Sequence, residues 1–546
     1  MNIFQPKLFS SLKSYSKKQL VNDLVAGVIV AIIALPLSIA LAIASGVSPE
    51  KGIYTAIVAG FVIAFLGGSN VNISGPTAAF ATIVAGIVAQ FGTSGLVIAT
   101  LMAGLILILM GVFRFGSLIK YIPHTITTGF TSGIALTIVI GQIKDFLGLT
   151  FPEGMPTVET AEKVEAIAYS ITTINWQALL MGAIALAILI VWPKISKKIP
   201  GSLIAVVVGV VVVKVFDMEV NTVGDLYTIS RDLPKFAFPE FSFNTVKQLI
   251  PSAFTIAILA GIESLLSCVV SDGMINDKHN SNTELIAQGV GNICSGLFGG
   301  IPATGAIART AANVKNGGKT PVAGIVHALV LLLVLVVLMP YAAWIPMPVI
   351  AAILFMVAYN MCEWKQFVKI CKTAPKSDII ALVVTFVLTV VFDLVVAIAV
   401  GMIIAVVLFM KRMADVANIR TWTKSGENAP DSERLKEIPE HTTVIEFEGP
   451  MFFASSEKFN SITFEEGVKT VILRMRNVPA LDSTAMRALN EIYSTCKKSG
   501  LTLILSHTNE QPLSVMKKAG FYDELGEGNF LPNIDEALAY AEKINK

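Results

Sequence analysis

The chain has 546 residues, of which 54% are hydrophobic and 15% charged, with a net charge of +2 and a mean hydropathy of +0.70. That balance excludes an ordinary soluble globule, and so small a net charge points to no partner; no nucleic-acid role is expected. Five cysteines, Cys268, Cys294, Cys362, Cys371 and Cys496, have neither paired nor metal-ligand spacing, so no disulfide framework, metal or cofactor is expected.

In chain order, the polar and basic stretch 1–22 does not read as a cleaved signal, and the first apolar run is long enough to span. Crossing a hydrocarbon core takes ~20 apolar residues. Runs that meet or approach this fall at 23–45, 52–68, 75–90, 95–113, 121–147, 176–192, 201–216, 250–270, 284–299, 302–313, 321–339, 346–361, 378–392 and 394–410. The fold expected is therefore an all-α polytopic membrane domain over 1–410 with fourteen spans, two of them short. A charged linker, 411–440, then leads into a soluble α/β unit, 441–546. There the pattern predicts strands at 443–447, 468–475 and 501–506, and helices at 483–499, 512–519 and 534–544.

Basic residues accumulate in short cytoplasmic loops. With Lys7, Lys13, Lys17 and Lys18 inside, fourteen crossings also place inside Arg114, Lys120, Lys194, Lys197, Lys198, Lys315, Lys319, Lys365–Lys376, Lys411 and Arg412. Both termini are thus expected in the cytoplasm and the spans in the cell (inner) membrane. Lys214, near a span end, is read as snorkelling. Asp393 is read as capping the turn between the last two spans.

The two short runs share a design. Gly75-Pro76-Thr77-Ala78-Ala79-Phe80 and Ile301-Pro302-Ala303-Thr304-Gly305-Ala306 are interrupted by prolines 226 positions apart. Interrupted helices at matching points of two halves mark a substrate site near the bilayer midplane. Thr77, Ala78, Ala79 and Phe80, and Thr304, Gly305, Ala306 and Ile307, are read as first turns whose amides lack internal partners and carry about half a positive charge. Two such ends ~5 Å from an anion, at an effective dielectric of ~20, supply about 3 kcal/mol of attraction. The substrate expected is a small inorganic or carboxylate anion. Small residues at Ala78, Ala79, Gly305 and Ala306 let it approach the backbone.

Two charges inside the apolar runs extend this reading. Arg309 costs roughly 2.5–3.5 kcal/mol within a span unless it faces a cavity or a partner, so it serves either the anion or a structural pair with a carboxylate or helix-end carbonyls. Glu263 stands one position beyond the image of Pro36 under the same offset of 226. It is equally costly, and either titrates or forms a permanent salt bridge with Arg309. His327, lone and near a span start, is read as a hydrogen-bonded structural residue.

Ile262-Glu263-Ser264-Leu265-Leu266, Asn282-Thr283-Glu284-Leu285-Ile286-Ala287-Gln288-Gly289, Gly299-Gly300-Ile301-Pro302-Ala303-Thr304-Gly305 and Ala308-Arg309-Thr310-Ala311 resemble the sulfate permease (SulP) family of anion transporters. Ala34-Leu35-Pro36-Leu37 and Ser74-Gly75-Pro76-Thr77 are similar to markers of the same family, and the C-terminal unit resembles its STAS domain. The resemblance implies a seven-plus-seven inverted repeat divided into core and gate, and a homodimer. It also implies that Arg309 adds positive potential to the anion pocket, and that Glu263 couples transport to a proton or to sodium. Ser267, one turn on, would supply an oxygen in the sodium case. Ser483, in Leu481-Asp482-Ser483-Thr484-Ala485, matches a loop that is phosphorylated in some STAS relatives. The simpler reading is that Asp482 or Ser483 is an unmodified N-cap. Leu37-Ser38 stands where the family often has Gln after the proline, which leaves the anion open among sulfate, bicarbonate and dicarboxylates.

The expectation is a secondary active carrier. An anion channel, a sodium-coupled bicarbonate carrier, an anion-sensing receptor that signals through the STAS domain, and a nucleobase permease are the alternatives, the last disfavoured by Arg309 and the STAS domain. No nucleophile–base constellation or phosphate loop supports an enzyme.

Overall fold

In the computed structural model, residues 4–13, 15–117, 123–157, 159–196, 199–240, 242–392, 394–422, 438–455, 462, 464 and 466–546 are described. Lys120, Lys197, Lys198, Asp393 and residues 423–437 of the expected linker lie outside the described residues. The chain divides into two compact units, Met1–Met402 and Ile403–Lys546.

Apolar segments with few charges become helices because a backbone in hydrocarbon must satisfy its own N–H and C=O groups. In the first unit these helices are α1 (Lys17–Ala44), α2 (Pro49–Leu66), α3 (Ala81–Val112), α4 (His124–Leu147), α5 (Trp176–Ile195), α6 (Gly201–Val215), α7 (Phe243–Ile275), α8 (Ser281–Leu297), α9 (Ile307–Lys315), α10 (Val322–Leu338), α11 (Met347–Cys362) and α12 (Lys376–Val391). A further helix, α13 (Leu394–Val416), follows α12. Among the described residues, eight helices are long and apolar enough to cross a membrane by length and composition. The expected spans 75–90 and 95–113 are the two arms of α3 and its leading 3-10 turn, separated at Gly92, whose φ of 66° breaks the helix.

The packing carries the signature of a repeat. α3 packs on α7 and α8, while α10 packs on α1 and α2. α4 packs on α12, while α11 packs on α5, and α4 and α11 face each other. Exchanging α1 with α7, α2 with α8, α3 with α10, α4 with α11 and α5 with α12 turns each contact into another of the set. Close approach between α3 and α8 depends on two glycines: a Cβ on Gly289 would stand 2.5 Å from the Gly104 carbonyl oxygen. Small residues at such crossings are how membrane helices gain packing without a hydrophobic driving force.

The second unit is a five-stranded sheet in the order β3 (Asn418–Trp422), β4 (Thr442–Glu448), β5 (Thr470–Asn477), β6 (Thr502–Ser506), β7 (Phe530–Leu531). β3 is antiparallel to β4 and the other pairs are parallel. Alternating side chains divide two apolar cores between the faces. Ile445, Phe447, Val471, Leu473, Leu503 and Leu505 join one core with Leu489 of helix Ser483–Lys498. Val444, Ile472 and Ile504 join the other with Ala537 and Ala541 of helix Ile534–Asn545. The stretch read as linker is not all connection, since β3 forms within it and Trp422 packs into the second core.

Candidate substrate site

Pro76 lacks an N–H and biases the residue before it toward extended backbone, so the chain cannot run as a helix through Ser74–Gly75. Instead Ser74–Gly75 (β1) pairs antiparallel with Thr304–Gly305 (β2), Ser74 opposite Gly305 and Gly75 opposite Thr304. The two interruptions, 226 residues apart, are therefore joined back to back. After β1, Thr77 precedes the 3-10 turn Ala78–Phe80 that leads into α3; after β2, Ala306 precedes α9. No side chain caps either start.

The two halves differ in detail from the sequence expectation. Thr304 and Gly305, expected in a first turn, lie in β2, and helix begins only at Ile307. The cause is competition for their polar groups. Gly305 N donates to Ser264 Oγ at 2.9 Å, Thr304 Oγ1 donates to the Ala260 carbonyl at 3.0 Å, and Ala306 N donates to the Ile73 carbonyl at 2.8 Å. The amides of Gly305 and Ala306 are thus already engaged. Ala78, Ala79 and Phe80 are buried, whereas Ile307 is 42% exposed.

Arg309 is buried and reaches across the repeat: its Nη2 donates to the Pro76 carbonyl at 3.0 Å. Its Nη1 is buried without a partner. A Cβ at Gly75 would stand 2.6 Å from that Nη1, so the guanidinium occupies space that only glycine leaves. Glu263, half-buried on α7, accepts a hydrogen bond from Thr77 Oγ1 at 3.0 Å. The Glu263–Arg309 salt bridge weighed above is replaced by these two separate bonds. Both side chains converge on the same Pro76–Thr77 segment.

Ser267 points elsewhere. Its Oγ lies 2.8 Å from Asn72 Oδ1 and 3.1 Å from Thr310 Oγ1. These belong to a buried network that no sequence argument assembled. Asn72 Nδ2 and Gln288 Nε2 donate to Glu284 Oε1 at 2.8 and 3.0 Å, and Gly68 N donates to Glu284 Oε2 at 2.9 Å. Gln288 Nε2 also reaches Ser74 Oγ of β1 at 2.9 Å. The available signal was Glu284 and Gln288 at helical spacing in an apolar run, where an acid is expensive without partners. Asn292, one turn further, clamps Ala303 from both sides, accepting from its N at 2.8 Å and donating to its O at 2.9 Å.

Three smaller expectations meet different outcomes. His327 is fully buried, but neither ring nitrogen has a hydrogen-bond partner, contrary to the reading of it as hydrogen-bonded. Lys214 does not simply extend to solvent; its Nζ lies 3.1 Å from the centroid of the Trp344 ring, where a cation meets the electron-rich face. In the second unit, Asp482 is the N-cap, accepting from Ala485 N at 2.8 Å, and Ser483 is the exposed first residue of its helix.

A model of the sulfate permease family matches residues 20–385, and a STAS domain model matches residues 433–537. YvdB of Bacillus subtilis (strain 168), a protein carrying a provisional sulfate-transporter name, is 40% identical over 529 residues, covering 96% of this chain and 98% of the relative. The bicarbonate transporter BicA of a Picosynechococcus species is 34% identical over 546 residues, covering 95% of this chain and 94% of the relative. Among solved structures, that of SLC26A9 superimposes with a TM-score of 0.87 at 22% identity, covering 98% of this chain and 92% of that one. At that identity the likeness speaks for the fold alone.

Proposed function

The chain belongs to the sulfate permease family, and from that membership we propose that it is a secondary active transporter of small anions: sulfate, bicarbonate or a dicarboxylate. The observation that carries the reading is the junction of β1 and β2, with an uncapped helix start after each strand and the unpartnered Nη1 of buried Arg309 beside it. A dehydrated cation on that spot would face like charge; an anion completes it. Thr77, Ala78 and Ala79 supply the first-half amides, and Phe80, whose own N–H donates to the Thr77 carbonyl at 3.3 Å, shapes the wall. On the second half, Ile307 and Arg309 take the role, with Thr304, Gly305 and Ala306 shaping the wall.

Transport then proceeds by movement of a core holding this junction against a gate, with proton symport through Glu263. Glu263 can carry a proton by itself, whereas the sodium alternative needs a second oxygen from Ser267, whose hydroxyl is held in the network of Asn72 and Thr310. A multi-pass location in the cell membrane with both termini cytoplasmic, and a dimer stabilised by the STAS unit, complete the proposal.

The test is uptake of labelled sulfate, bicarbonate and succinate into proteoliposomes at two pH values, with and without sodium, together with counterflow. Saturable, trans-stimulated flux of one of these anions that rises on the acid side and ignores sodium supports the carrier. Non-saturable flux without counterflow indicates a channel, and binding without flux indicates a receptor; either overturns the proposal.

A further inference from the structure

The first residues of the chain are stitched to the segment that leads into β1. Helix Lys7–Leu12 lies against the end of α2: Lys7 N donates to the Gly67 carbonyl at 2.9 Å, and Ser11 Oγ donates to Asn70 Oδ1 at 2.9 Å. Lys7 Nζ pairs with Asp277 Oδ2 at 3.3 Å, the same oxygen that accepts from Asn70 Nδ2 at 2.6 Å. Gln5 N donates to Thr283 Oγ1 at 3.0 Å in the first turn of α8. From Gly67 and Asn70 the chain continues directly to Ser74.

What the inner face of this helix does not explain is its outer face. Leu8 is buried, but Phe9 is 53% and Leu12 48% exposed. Phe9 meets Phe65 edge-on at 5.7 Å, and Phe65 stacks on Phe61 at 6.2 Å. Phe61 and Phe65 are themselves exposed on α2, one of the helices apolar enough to cross a membrane. The aromatic row therefore continues from the exposed face of a helix apolar enough to cross a membrane onto the N-terminal helix. Around it Lys13, Lys17 and Lys18 are exposed. Apolar residues beside a basic cluster at the end of a membrane helix have the composition of an interfacial anchor, and the occupant whose charge complements these lysines is an anionic lipid surface.

We propose that Phe9 and Leu12 insert at the membrane interface while Lys13, Lys17 and Lys18 bind anionic lipid headgroups, making the N-terminal helix a lipid-binding element bonded to the segment that enters the substrate site. The partner is the anionic bilayer itself. The headgroup phosphates neutralise the lysines, and the bonds through Lys7, Ser11 and Asn70 tie that contact to Gly67–Asn70.

The test uses the full chain with Phe9→Trp as reporter, reconstituted in phosphatidylcholine:phosphatidylglycerol vesicles at 7:3. Bromine is placed on the acyl chains of one lipid or the other, and the chain without the reporter gives the background. Brominated phosphatidylglycerol is expected to quench the reporter more strongly, per lipid, than brominated phosphatidylcholine. The triple variant K13Q/K17Q/K18Q should abolish that preference while leaving quenching itself in place, since ~5-fold in local headgroup affinity is expected per lysine. Equal quenching by the two lipids in the native-lysine chain refutes the headgroup site. No quenching by either places Phe9 in water and refutes the anchor. Because the readout is lipid contact and not flux, failure here leaves the carrier proposal standing, and failure of the carrier leaves this one standing.

Discussion

Arg309→Gln tests the electrostatics of the proposed site with little disturbance of its frame. Glutamine keeps an N–H donor, which reaches the Pro76 carbonyl that Arg309 Nη2 now engages at 3.0 Å through a water, and removes the charge. An anion on the amides after Thr77 would stand roughly 6 Å from the guanidinium, and at an effective dielectric of ~20 that charge is worth about 3 kcal/mol, or ~100-fold in affinity. Part of this is recovered by water entering the smaller side chain's space, so KM in proteoliposome uptake should rise 10- to 100-fold by this estimate. Arg309→Lys keeps a point charge while losing the planar fork, and should fall within ~10-fold of the native chain. Size-exclusion profile and melting temperature in detergent report whether each variant is folded. A well-folded Gln variant with unchanged KM would falsify the role given to the charge.

Other outcomes follow from the same geometry. Glu263→Gln keeps an acceptor for the Thr77 hydroxyl and removes titration, so uptake should remain saturable but lose its dependence on external pH; an unaltered pH profile rules out Glu263 as the coupling group. Asn292→Ala deletes both bonds to Ala303 and should cost about 1–3 kcal/mol, read as a lowered melting temperature in detergent, with no change meaning that water replaces the clamp. Gly289→Leu drives side-chain atoms toward the Gly104 carbonyl and should destabilise by at least ~1–3 kcal/mol, whereas a stability equal to that of the native chain would show that α3 and α8 separate easily. Asp482→Ala removes an N-cap worth about 1 kcal/mol, and hydrogen exchange at Ala485 in the full chain should accelerate several-fold.

The sequence marked the region of the proposed site more clearly than its construction. Prolines at equal offsets, Arg309 within an apolar run and Glu263 on the image of the first span are each visible because each is costly where it stands. The register of β1 on β2 was not visible. It depends on which amides find better partners, and Ser264, Ile73 and Ala260 come from segments tens to hundreds of positions from Thr304. That competition moved Thr304 and Gly305 out of the helix. Ser267 shows the same limit: helical spacing put it one turn from Glu263, but only the fold brings Asn72 and Thr310 to its hydroxyl. In the soluble unit the alternation of apolar residues was strong enough to find the central strands, while β7, two residues long, gave no period to read.

The pairing of Ser74–Gly75 with Thr304–Gly305 has a mechanical corollary. A cradle whose two walls are pinned by main-chain bonds, and whose guanidinium from one wall grips a carbonyl of the other, cannot open like jaws without tearing its own floor. In the carrier proposed above, cargo would therefore ride in a sealed cab that shifts as one piece, with the doors belonging to whatever slides past it.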